Sequence, residues 1–198
     1  MILIVNNSKD LYKATMTPKL LNLLNSWDIK YIIINKKQDF KKIKNPCINA
    51  TIKGIILTGG PLCITDNIYY NDIIKNITAL HSFPDIPILG ICFGFQVITD
   101  VYGGSIGKLK SHNLGFKKVN LKTSVMALFE NLKEVSTFFF SHNDEISQVP
   151  PNFNAFISGN IVISIEHKEK HIFGVQFHPE GSSDGHLIIK NFIFNFCK

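Results

Sequence analysis

The residues with the clearest chemical potential are a cysteine, a histidine and a glutamate that lie far apart in the chain. Cys92 sits in Pro87-Ile88-Leu89-Gly90-Ile91-Cys92-Phe93-Gly94-Phe95-Gln96, where an apolar run ends at a cysteine with glycine two residues away on either side. A helix-compatible apolar run, Phe95 to Val101, follows. Strand, sharp turn and helix in that order form a nucleophile elbow, which lifts a reactive side chain clear of a sheet. The glycines let the backbone turn without a Cβ clash. The following helix would aim its free N–H groups and positive end at the sulfur, which favours a reactive thiol.

A cysteine nucleophile needs a base, and the base needs an orienting group. His178-Pro179-Glu180, straight after the strand-like Gly174-Val175-Gln176-Phe177, supplies both. His178 can take the thiol proton and later return it to a leaving group, while Glu180 holds the imidazole in one tautomer. A tetrahedral oxyanion also needs donors. The N–H of Phe93 is one by elbow geometry, and Gly60 of the turn Thr58-Gly59-Gly60-Pro61 is the candidate for the second.

The elements that must position these groups alternate in the first half. Ile2 to Val5, Tyr31 to Ile34, Ile55 to Leu57 and Ile86 to Ile91 read as short buried strands. Helical spacing recurs from Thr17-Pro18 to Trp27 and from Ile68 to Leu80, and Lys36 to Lys44 reads as a solvated loop or helix. Continuous apolar strands alternating with helices predict an α/β fold, a mostly parallel central sheet flanked by helices, with function at the carboxyl ends of its strands. After Gly103-Gly104 the runs at Phe116–Leu121, Val135–Phe140, Phe153–Ile157, Ile161–Ile165 and Ile172–Phe177 predict further, partly antiparallel strands added to that sheet. Leu187 to Phe196 reads as a closing helix. No repeat or linker divides the chain, so one domain over residues 1–198 is expected.

Composition narrows the partners. All 21 basic residues are lysine and the net charge is +6. Arginine, the usual reader of bases and phosphates, is absent, and the lysines are scattered, so nucleic acid is not an expected partner. No apolar run reaches the ~20 residues of a membrane span. The N-terminus lacks a basic leader, so a cytoplasmic protein without a membrane partner is expected. Four widely spread cysteines, Cys47, Cys63, Cys92 and Cys197, form no zinc pattern, and no metal site is expected.

The three blocks around Gly59-Gly60, Cys92 and His178-Pro179-Glu180 together resemble the class I (triad) glutamine amidotransferases, and the resemblance covers essentially the whole chain. It implies a flavodoxin-like class I amidotransferase fold. It also implies attack of the cysteine on the glutamine side-chain amide, a glutamyl thioester, and ammonia passed to a synthetase. It gives Gln96 and Gly59 a place at the substrate. Phe140-Ser141-His142-Asn143-Asp144-Glu145-Ile146, with Val149-Pro150-Pro151-Asn152-Phe153, is similar to a block of the GMP synthetase amidotransferases. In that branch the groups matching Ser141, His142 and Asn143 hold glutamine, and those matching His142 and Asp144 lie near the partner. The implied role is that of the free-standing glutaminase subunit of a two-subunit GMP synthetase, which converts XMP to GMP. Such a chain has no cofactor of its own; ATP and Mg belong to its partner, the ATP-pyrophosphatase subunit. The alternatives are an amidotransferase subunit of anthranilate or aminodeoxychorismate type, a stand-alone hydrolase of γ-glutamyl compounds and a non-catalytic module. Three departures from the GMP synthetase pattern stand out: Phe95 where histidine is usual, Asn6-Asn7-Ser8-Lys9-Asp10 at the first strand's end, and Ser111-His112-Asn113-Leu114-Gly115 in place of R-E-x-G.

Overall fold

The computed structural model describes residues 1–8, 16–66 and 70–198. The short apolar runs become strands: β1 Ile2–Val5, β2 Tyr31–Ile34, β3 Gly54–Leu57, β4 Ile88–Ile91 and, late in the chain, β9 Ile172–Val175. All but edge strand β2 are buried along their whole length. They pair in parallel in the order β2-β1-β3-β4-β9. Continuous burial follows from cover on both faces. Ile2 and Ile4 face a layer with Leu20 and Leu24 of α1 (Met16–Ser26) and Ile188 and Ile189 of α5 (Ser183–Asn191). Leu3 and Val5 face the other layer, with Ala79 and Leu80 of α3 (Tyr70–Ser82) and Phe95 and Ile98 of α4 (Phe93–Val101). The short α2 (Pro46–Asn49) precedes β3.

The second half departs from simple addition to the sheet. Only β8 (Ile161–His167) and β7 (Phe153–Ser158) extend it, antiparallel, beyond β9. β5 (Ser105–Asn120) and β6 (Val135–Gln148) instead form a separate two-stranded antiparallel ribbon. The even-numbered residues of β6 from Ser136 to Ile146 are buried and the odd-numbered ones face outward. Phe138 anchors the ribbon by stacking on Phe177, with ring centroids 4.0 Å apart.

Local starts and stops differ from the sequence expectation in explicable ways. α1 begins at Met16, one residue before Thr17-Pro18, and the Thr17 hydroxyl meets Ser8 Oγ at 3.2 Å and Asn6 Oδ1 at 3.4 Å. The lysine-rich stretch holds a 3-10 helix, Lys37–Ile43, because Phe40 and Ile43 are buried. The closing helix starts earlier, capped by Ser182 accepting from Gly185 N at 3.2 Å, and ends in a π-helical turn, Phe192–Phe196. Part of the expected helix start at Ile68 lies outside the described residues. None of the described helices is long and apolar enough to cross a membrane.

Candidate active site

β3, β4 and β9 are neighbours, so their carboxyl ends meet. Cys92 lies just beyond β4 and adopts φ 49°, ψ −102°. A non-glycine residue holds such a conformation only when its surroundings enforce it. Here Cys92 N donates to Val175 O at 2.8 Å, and Cys92 O accepts from Gln96 N at 3.0 Å. The flanking glycines give room rather than freedom. A Cβ on Gly94 would lie 2.3 Å from Leu57 O, and one on Gly90 would lie 2.7 Å from Gly94 O. The elbow is thus pressed directly onto β3.

His178 follows β9 and Phe177, and its main chain is tied to the ribbon: His178 N donates to Phe139 O at 2.7 Å. Its Nδ1 meets Glu180 Oε1 at 3.0 Å, and both side chains are buried. Glu180 Oε2 has no partner among the described residues, so this carboxylate serves the imidazole alone. Burial opposes charge on the ring, but the Cys92 sulfur and then Glu180 outweigh it and hold the His178 pKa well above its ordinary value. Cys92 Sγ also donates to Ser141 O at 3.5 Å, and Gln176 Nε2 lies 3.9 Å from the sulfur. Behind the histidine, a Cβ on Gly59 would sit 2.5 Å from His178 Cε1 and 3.5 Å from Cys92 Cβ. Only glycine leaves this space.

A cavity of about 200 Å³ opens at the sulfur. Gly60, Cys92, Phe93, Gln96, Ser141, His142 and Asn143, seven of the ten residues singled out in the sequence, line it. The other three, Gly59, His178 and Glu180, stand behind Cys92. Phe93 opens α4, and among the described residues neither its N–H nor that of Gly60 donates to a protein acceptor. Gln96 is buried, and its Nε2 donates to Asp144 O at 3.0 Å and lies 3.5 Å from Gln176 Oε1. That leaves its carbonyl oxygen for a ligand. His142 is committed at both nitrogens: Nδ1 donates to Asp144 O and Nε2 accepts from Asn113 Nδ2, each at 2.8 Å. Burial pushes its pKa down to about 4, so the ring is neutral. It shapes the cavity and fixes the Asp144 carbonyl. Asn143 is exposed at the rim, its Nδ2 4.0 Å from Cys63 Sγ.

Sequence reasoning missed the contacts that brace the cavity. Asp144 accepts from Thr65 N at 3.0 Å and Thr65 Oγ1 at 2.5 Å, and Lys108 pairs with Asp66, which pins the Gly60–Asp66 wall against the ribbon. Asn7 holds the glycine turn: its N donates to Thr58 Oγ1 at 2.9 Å and its Nδ2 to Thr58 O at 2.8 Å. The sequence signal of Asn7 and Thr58 is polarity at strand ends. Phe95, in place of the expected histidine, is wholly buried against Gly174 and away from the cavity. All four cysteines are free. Among the described residues no group of three or more His, Cys, Asp or Glu side chains could hold a metal ion.

A buried thiol held against a histidine–glutamate pair, beside unpaired N–H groups, is equipped for acyl transfer through a covalent thioester. The family model "Glutamine amidotransferase class-I" matches residues 9–196. The chain belongs to this family. Among related proteins, it is 42% identical to one subunit of the glutamine-hydrolyzing GMP synthase of Methanococcus aeolicus, over 76% of this chain and 75% of that one. Its identity to the same-named subunit of Methanococcus maripaludis is 35%, over 100% of this chain and 96% of that one. The chain spans only 29% of the glutamine-hydrolyzing GMP synthase of Clostridium tetani, with 37% identity. In structure it resembles a GMP synthase subunit from Thermoplasma acidophilum, with a TM-score of 0.79, 28% identity, and 99% of this chain and 92% of that one covered.

Proposed function

We propose that this amidotransferase unit, residues 1–198, hydrolyses L-glutamine to glutamate and ammonia and passes the ammonia to a cytoplasmic ATP-pyrophosphatase subunit that converts XMP to GMP. ATP and Mg belong to that partner, and no cofactor is needed in this chain. The observation that carries the reading is the arrangement of Cys92, strained at φ 49°, against His178, itself 3.0 Å from Glu180, beside a cavity of about 200 Å³ that Cys92 lines.

The sulfur attacks the side-chain amide carbon of glutamine while His178 takes the thiol proton. The oxyanion is met by the N–H groups of Phe93 and Gly60. His178 returns the proton to the amide nitrogen, the C–N bond breaks, ammonia leaves and a glutamyl thioester remains on Cys92. Water, deprotonated by His178, then attacks the thioester; glutamate leaves and the thiol is restored. Glu180 stabilises the imidazolium in both halves. Gln96 Oε1, Ser141 and Asn143 hold the amino-acid end of the substrate, and neutral His142 keeps the Asp144 carbonyl fixed.

The test is release of ammonia and glutamate from glutamine, with and without the XMP-aminating partner and its substrates. Turnover that rises with the partner and vanishes in Cys92→Ala supports the reading. Glutamine left untouched in the presence of the partner overturns it.

A further inference from the structure

The cavity meets the ammonium end of an amino acid more readily than the carboxylate end. Gln96 offers its carbonyl oxygen, and the Asp144 carboxylate adds negative charge at the wall. A carboxylate needs N–H or O–H donors, and a cationic one serves best. The chain has no arginine, and no lysine is among the described residues that line the cavity. His142 is neutral and committed at both nitrogens. One lining side chain remains that can present a cationic N–H, and it is His112.

His112 reaches the cavity because the ribbon is irregular there. Lys108 lies opposite Asp144 and Asn113 opposite His142, so four residues of β5, Leu109 to His112, face the single residue Asn143. A bulge of this kind re-aims side chains. Both of its ends are fixed to the cavity wall: Lys108 pairs with Asp66, and buried Asn113 donates to His142 Nε2 at 2.8 Å. The His112 ring is exposed, and its Nε2 lies 3.3 Å from Ser141 Oγ. That hydroxyl is the ring's one hydrogen-bond partner among the described residues, which leaves Nδ1 for a ligand. Ser141 also links this imidazole to the reacting sulfur, because its carbonyl accepts from Cys92 Sγ at 3.5 Å. The cavity therefore runs from the nucleophile to a carboxylate donor across one residue. Glutamine has the same order: the amide carbon, two methylenes, then the α-carbon with its two charged groups.

We propose that His112 receives the α-carboxylate of glutamine, with Ser141 Oγ beside it and Gln96 Oε1 on the α-ammonium. His112 is thus a specificity residue that selects a γ-carboxamide with a free α-carboxylate over one without it. An imidazole N–H and a hydroxyl both donate to a carboxylate in charge-assisted bonds. The stretch Ser111-His112-Asn113-Leu114-Gly115, which departs from R-E-x-G, thereby acquires a role at the substrate. The proposal rests on the glutamine hydrolysis proposed above.

The experiment compares ammonia release from L-glutamine and from L-glutaminol, in which CH2OH replaces the carboxylate, with the XMP-aminating partner present. His112→Ala is expected to raise KM for glutamine about tenfold to a hundredfold, with kcat within about threefold of wild type. Its kcat/KM for L-glutaminol should change less than about threefold, so the preference for glutamine falls at least about tenfold. His112→Glu, which sets a like charge against the carboxylate, should raise KM for glutamine further than His112→Ala does. Lys110→Ala, which removes an exposed cation of the same bulge that does not line the cavity, is expected to leave both substrates unaffected. An unchanged KM in His112→Ala, or an equal loss with both substrates, overturns the assignment of His112 and leaves glutamine hydrolysis standing. A wild-type chain that leaves glutamine untouched beside its partner overturns the hydrolysis itself, and this proposal with it.

Discussion

Gly59→Ala is a small change whose cost can be worked from the geometry. The added methyl carbon would lie 2.5 Å from His178 Cε1, whereas ordinary contact begins at 3.4 Å. The ring is the part that can yield, and it must retreat by about 0.9 Å. It cannot retreat freely, because Nδ1 is held by Glu180 at 3.0 Å and the main chain by Phe139 at 2.7 Å. A displacement of about 1 Å in a catalytic group costs on the order of a hundredfold in rate. The expected result is a glutaminase kcat reduced about 10²-fold, with KM for glutamine changed less than about threefold because the cavity-lining groups are not touched. The methyl burdens one side chain, the His178 ring at Cε1 and Nδ1, so thermal unfolding should shift by a few degrees at most. Steady-state ammonia release and a melting curve on the same preparation decide the matter. A kcat within about threefold of wild type would mean that His178 is not the group whose position limits the reaction.

Three further predictions follow from the same contacts. Removing the Asp144 carboxylate by Asp144→Ala releases Thr65 and the cavity wall, so KM for glutamine should rise by about tenfold with a smaller effect on kcat; an unchanged KM would show that the wall holds without it. Because burial holds His142 near pKa 4 against an ordinary 6.5, the folded state binds fewer protons than the unfolded one. His142 therefore contributes about 3 kcal/mol that is fully present above pH 6.5 and is lost as pH falls toward 4. Urea unfolding across that window should show the loss, and His142→Gln should lack its share; an unaltered pH slope in the variant would refute this. Phe95→His places an imidazole in the apolar layer of Leu57, Ile98 and Ile165 and should cost about 2 kcal/mol in the same assay while glutaminase activity survives. Full stability would show that the pocket beside Gly174 accepts a polar ring.

How much of this was legible beforehand depended on how local the determinant is. The parallel strands were readable because burial on both faces leaves an unbroken apolar run, as in Ile2–Val5 and Ile88–Ile91. Cys92 and His178-Pro179-Glu180 were readable because an elbow and a strand-end pair are short-range patterns. The ribbon was not. Ser141-His142-Asn143-Asp144 reads locally as a loop, yet it lies within β6, because Phe138 and Phe140 lock into the core and carry the strand through to Gln148. The Thr65–Asp144 and Asn113–His142 contacts join residues 79 and 29 positions apart, and no periodicity reports such pairs. The reason for Gly94 was also hidden: the carbonyl of Leu57 comes from another strand.

The central claim is that Cys92 carries the glutamyl group. Acid quenching of the enzyme during turnover with isotopically labelled glutamine, followed by mass spectrometry of its peptides, tests that directly. Cys63 is the informative internal control, since it lines the same cavity while burial, Asp144 and Asp66 push its pKa up. The account predicts one labelled glutamyl group on the Cys92 peptide, none on the Cys63 peptide, and loss of the label in neutral hydroxylamine, as a thioester requires. Steady hydrolysis of glutamine with the label absent from Cys92, or carried by Cys63, would contradict it.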